Sequence, residues 1–73
     1  MKITLSEQLG RLRHDKGITQ EELALFLGIS PQAVSKWESG ASDPSTSNLL
    51  ALARLYGVSA EELLREAAGT QRT

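Results

Sequence analysis

Apolar residues recur along this 73-residue chain at steps of three and four and nowhere alternate, so the pattern predicts helices and no strands. Leu5, Leu9 and Leu12 share one helical face, and Lys16-Gly17 closes that first segment. Thr19 opens a second helix, because "TQEE" reads as a capping box: the Thr19 hydroxyl takes the amide of Glu22 and the Glu22 carboxylate reaches back. Leu23, Ala24 and Leu27 form its inner face, Phe26 stands on the flank within reach of the core, and Leu25 turns to solvent. Gly28 takes the left-handed position that ends it. Only Gly28-Ile29-Ser30 separates this helix from a third, which starts with a capping serine and then Pro31, at a position where no amide partner is needed. The third helix runs to about Ser39 and stops at Gly40. Beyond the "ASDPS" loop, a fourth helix turns Leu49, Leu52, Ala53 and Tyr56 inward and ends at Gly57. "SAEE" repeats the capping box at Ser59 and Glu62 and opens a short fifth helix with Leu63 inward. The expectation is an all-α, compact five-helix domain over residues 1–68, with a frayed tail at 69–73.

The third helix divides cleanly on a wheel of 100° per residue. Ala33, Val34 and Trp37 face in; Gln32, Ser35, Lys36 and Ser39 form a continuous polar stripe facing out. Such a stripe alone is more often a solvated helix back. Its setting changes the weighing, because two helices joined by three residues with a turn glycine form a helix-turn-helix over residues 19–40. A major groove admits one helix, and a short side chain such as Ser35 lets the backbone come close. Gln32 carries the donor and acceptor that suit adenine, and Lys36 the donors that suit guanine. Amides at the helix starts near Gln20 and Pro31-Gln32, with the Ser30 hydroxyl beside them, are suited to phosphate.

The stretch "ITQEELALFLGISPQAVSKWESGASDPSTSNLLALARLYGVSAEELL" resembles the lambda-repressor/Cro-like helix-turn-helix family, also called the xenobiotic response element family. Its pattern runs T-Q-x-x-L-A, L-G-apolar-S, V-S-x-W-E-x-G, P, L-A and G-V-S-x-x-E-L, and the match spans roughly residues 5–64. The resemblance implies a lambda-repressor-like five-helix fold and sequence-specific binding of double-stranded DNA as a homodimer, usually in repression. It also implies base-edge roles for Gln32, Ser35 and Lys36, phosphate roles for Gln20, Ser30 and Ser39, and an orienting salt bridge between Arg13 and Glu38.

Charge narrows the picture. Eight Lys plus Arg stand against nine Asp plus Glu, a formal net charge of −1, which argues against a protein held to nucleic acid by bulk charge. Residues 1–16 nevertheless hold Lys2, Arg11, Arg13 and Lys16 against only Glu7 and Asp15. With no cysteine, disulfides and thiolate metal sites are excluded, and a reducing, cytoplasmic, nucleoid-associated setting fits. No apolar run approaches the roughly 20 residues that span a bilayer, and "MKITLSEQLG" lacks the core of a signal peptide. The lone His14 makes no metal site, and the adjacent carboxylates Glu21-Glu22 and Glu61-Glu62 belong to first helical turns, where they complement the dipole. With no nucleophile–base set and no phosphate-cradling glycine loop, an enzyme is the weakest reading; no cofactor and no small-molecule ligand are expected.

Leu50, Leu55 and Leu64 lie off the inner faces of the last two helices and form the expected dimer surface. Leu25 is a candidate contact for a separate protein partner. The alternative to a DNA-binding regulator is therefore an antitoxin or protein-interaction module that keeps the helix-turn-helix as scaffold.

Overall fold

A computed structural model describes the backbone of residues 4–68 and the side chains as far as Leu64. The described residues form five helices: α1 (Leu5–Lys16), α2 (Gln20–Leu27), α3 (Pro31–Ser39), α4 (Thr46–Tyr56) and α5 (Ala60–Ala68). The tail expected at 69–73 lies outside the described residues. None of these helices is long and apolar enough to cross a membrane.

Each helix begins where its sequence supplies an acceptor for an orphan amide. Around Thr19 the capping box closes at 3.0 Å (Glu22 N–H to Thr19 Oγ1) and 2.8 Å (Thr19 N–H to Glu22 Oε1). Ser59 and Glu62 repeat it, with the Glu62 amide donating to Ser59 Oγ at 2.9 Å. Two caps go beyond the sequence expectations: Thr4 forms a full capping box with Glu7 at the start of α1, and Ser45 accepts the Asn48 amide at 3.3 Å at the start of α4. The T-x-x-E signal at Thr4 has the same form as that at Thr19. Each cap is worth about 1 kcal/mol, a sizeable share of the roughly 3–5 kcal/mol available to so small a core.

Gly28 sets the turn between α2 and α3. At φ +73° it lies in the left-handed region, which lets the Ile29 amide reach back to the Ala24 carbonyl at 3.0 Å. A side chain there would be strained even though space is open around it.

The core is built from Leu9, Leu23, Ala24, Val34, Trp37, Leu49, Leu52, Ala53 and Leu63, with Leu23, Val34, Leu52 and Leu63 almost wholly excluded from solvent. Packing runs α2 against α3, α3 against α1, and α1 against α5, while α4 rests on α5 and α1. The seat of α3 is therefore set by α1 and α2 together, and its remaining face is left to solvent.

Two side chains depart from the sequence expectations. Phe26 does not reach the core: it is 70% exposed, because α4 does not close over the flank of α2 and leaves a groove of about 450 Å³ lined by Phe26, Leu27, Ala51, Arg54 and Leu55. Leu55, expected off the inner face of α4, is half-buried and packs against the core.

Candidate nucleic-acid interface

Helix α3 presents its polar stripe because its apolar stripe is held. Val34 and Trp37 are buried beneath it, and Gln32, Ser35, Lys36 and Ser39 are all exposed on the other side. Both ends are fixed. Ser30 Oγ accepts the Ala33 amide at 3.3 Å and Pro31 occupies the first turn; Gly40, at φ +86°, turns the chain so that the Ala41 amide donates to the Lys36 carbonyl at 2.9 Å.

The candidate phosphate groups differ in what they have left to offer. Ser30 is exposed and accepts through its oxygen, so its hydroxyl proton remains free to donate. Ser39 Oγ donates to the Lys36 carbonyl at 3.2 Å, so a phosphate would have to take that proton from the helix. At the start of α2 the capping box already uses the Thr19 and Glu22 amides, and Glu21 and Glu22 place two carboxylates in the first turn. An anion is therefore better received at the start of α3, which has no acid in its first turn.

Beneath this face sits a polar knot. Arg13 of α1 meets Glu38 of α3 in a two-pronged pair, Nε to Oε2 at 2.7 Å and Nη2 to Oε1 at 3.0 Å, with side chains only 12% and 10% exposed. Arg13 Nη1 donates to the Ile18 carbonyl at 2.8 Å, in the connection between α1 and α2. Gln20, the first residue of α2, donates from Nε2 to Glu38 Oε1 at 2.9 Å. Gln20 is thus brought to Glu38 and is half-buried, a contact that sequence reading misses because the two residues lie eighteen positions apart. Burial pushes the Glu38 carboxyl up, but hydrogen bonds from Arg13 and Gln20 and the charge of Arg13 outweigh it and hold the group below its ordinary value. The Glu38 hydrogen bond in turn raises Arg13. The acid on α3 is neutralised where it stands.

Tyr56 lies close enough to feel both charges. Burial, and then the negative charge of Glu38, push its phenol up to about 12, and its hydroxyl makes no hydrogen bond among the described residues. Gln8 Oε1 is buried in the same unpaired state. Because the Tyr56 hydroxyl is desolvated without a partner, Tyr56→Phe is expected to leave stability unchanged or raise it by up to about 1 kcal/mol. Urea-melt midpoints measure this; a loss of that size would mean the hydroxyl is satisfied in solution.

Among the described residues no group of three His, Asp or Glu side chains is placed to hold a metal ion. The remaining candidate residues belong to other helices. Leu50 and Leu64 are about half exposed, on α4 and α5, and Leu25 is 83% exposed on α2.

Comparison with known proteins agrees with this geometry. A family model described as Helix-turn-helix matches residues 9–63. The chain is 42% identical over 59 residues to the HTH-type transcriptional activator BcrR of Enterococcus faecalis, covering 81% of this chain and 29% of the activator. It is 39% identical over 64 residues to the HTH-type transcriptional regulator y4dJ of Sinorhizobium fredii, itself uncharacterized, covering 88% of this chain and 83% of that one. Several other curated relatives are longer, and the chain spans between 39% and 55% of their length. Among solved structures, the P22 c2 repressor in complex with a synthetic operator superposes with a TM-score of 0.79 at 31% identity, covering 85% of this chain and 94% of the chain in that crystal.

Proposed function

The chain belongs to the helix-turn-helix family of transcriptional regulators, and from that premise we propose that it reads a near-palindromic site on double-stranded DNA as a homodimer and represses by occlusion. The observation that carries this reading is the outer face of α3: Gln32, Ser35, Lys36 and Ser39 exposed in one stripe on a helix held from behind by Val34 and Trp37. In this reading residues 1–68 are the DNA-binding unit, acting in the cytoplasm at the nucleoid and carrying out no catalysis. Gln32, Ser35 and Lys36 meet base edges; Ser30 and the first-turn amides of α3 meet phosphate, with Gln20 and Ser39 alongside. Arg13 cancels the charge of Glu38, so the acid does not repel the DNA backbone. The P22 c2 complex supports a duplex partner for a fold of this kind.

Selection of bound sites from a random duplex library tests the proposal. The expected product is a palindrome with half-site centres about 10 bp apart, since both recognition helices must enter the same side of the duplex. Lys36→Ala should relax preference at one or two positions per half-site, at about 1–3 kcal/mol for the base it reads. Absence of any enriched sequence, with only salt-labile binding, would sink the reading.

The protein-interaction alternative rests on Leu25 and Phe26, adjacent on α2 and 83% and 70% exposed. Solvent-facing apolar residues side by side are the kind of patch that contacts a partner. Selective duplex binding that survives Leu25→Ser/Phe26→Ser would separate that surface from DNA reading.

A further inference from the structure

One hydrogen bond joins the start of α2 to the last turn of α3: Gln20 Nε2 donates to Glu38 Oε1 at 2.9 Å. A carboxamide oxygen cannot approach a carboxylate, so the side chain's orientation is dictated, with its amide nitrogen on Glu38 and its oxygen turned away. Glu38 Oε1 is shared with Arg13 Nη2 at 3.0 Å, and Arg13 is anchored in turn on the Ile18 carbonyl. Two separate pieces of chain, α1 and the first residue of α2, therefore converge on one carboxylate in α3, and the connection between them is tied to the same arginine. No other hydrogen bond between side chains of different helices is found among the described residues. Lys36 lies two residues from Glu38 and Ser35 three, so a small tilt of this last turn moves the groups proposed to read bases.

The geometry points to Gln20 as a specificity-determining positioning residue: through Glu38 it sets the tilt of α3 and so the bases that Ser35 and Lys36 meet, without touching a base itself. The inference rests on the DNA-reading proposal. It departs from a plain phosphate role in a measurable way. A phosphate contact lowers affinity for every sequence by one factor. A change of tilt reorders the sequences.

The test is the affinity of wild type and variants for a panel of duplexes: the selected site and every single-base change in its half-site. Gln20→Met keeps the length and removes the donor. It should narrow the ratio between the selected site and its variants at the Lys36-read positions by roughly tenfold, the scale of one lost bidentate base contact. Gln20→Lys restores a donor to Glu38 and should return that ranking to within about twofold of wild type whatever it does to overall affinity. Glu38→Gln leaves Gln20 in place, weakens the tie from the other side and should disturb the same positions. Thermal melts run beside the panel identify any variant unfolded at the assay temperature, and the ranking is then read from the other two. A uniform loss across the panel for Gln20→Met, or an unchanged ranking for Glu38→Gln, would overturn the inference while leaving the DNA reading intact. A wild-type chain that prefers no duplex would remove the DNA reading itself, and is seen without any variant.

Discussion

Glu38→Ala should bring the domain close to unfolding. It strips two hydrogen bonds from an Arg13 side chain that is only 12% exposed beside Glu38. It also frees the Gln20 amide and the end of α3. Unpairing a buried charge costs about 3–5 kcal/mol, and the lower end applies because both side chains keep an edge in solvent. For a domain of this size, about 3 kcal/mol corresponds to a fall in Tm of roughly 12–24 °C. Since total stability is on the order of 3–5 kcal/mol, that is most of what there is. The charge itself is isolated by Glu38→Gln, which keeps the shape. Glu38 is held below its ordinary value of 4.5 by hydrogen bonds and charge that outweigh its burial. Its electrostatic contribution is therefore complete above about pH 4.5 and is lost as pH falls through the lower, folded value. Melts of wild type and Glu38→Gln should differ at pH 7 and converge in strong acid; a gap that does not change with pH would mean the pair acts through shape alone.

The second large effect is expected from Leu50→Glu/Leu64→Glu. Helix α4, "TSNLLALARLY", carries one charge in eleven residues, and its outer side still shows Leu50 at 51% exposure. A helix apolar on nearly every side is normally covered. Leu64 of α5, 48% exposed, extends the same apolar character. If two copies meet there, four buried carboxylates per dimer would prevent association. The variant should sediment as a monomer where wild type is dimeric. Its affinity for a full palindrome should drop by about 10²- to 10⁴-fold, because the second half-site is no longer delivered at high effective concentration. Binding to an isolated half-site should hardly change. A double variant that stays dimeric would move the interface away from α4 and α5, with the exposed Leu25 and Phe26 of α2 the next surface to examine.

The helices were legible in the sequence because their boundaries are local events. Thr19 with Glu22, Ser59 with Glu62, and Ser30 ahead of Pro31 each need only neighbours within four residues, and in each the capping oxygen accepts the amide three residues on. Thr4 and Ser45 were equally local and equally readable. What required the folded chain was anything set by the distance between helices. Phe26 lies on a flank whose burial depends on how near α4 comes, and α4 stays away. Gln20 carries a side chain fit for either phosphate or carboxylate, and only the approach of α3 brings Glu38 to it. Arg13 and Glu38 lie twenty-five residues apart, so the resemblance, not the spacing, associates them. The unpaired hydroxyl of Tyr56 had no sequence signal, since its helical position marks it only as inward-facing.

The closed ends of α3 bear on the thermodynamics of any encounter. With Ser30 and Pro31 fixing one end and Gly40 the other, its nine residues are ordered before a partner arrives. Ordering a residue's backbone costs about 1–2 kcal/mol, and here that entropy is lost when the domain folds, not when it associates. Association should therefore resemble rigid docking, with a modest heat-capacity change set by the contact surface alone and none of the larger signature of coupled folding.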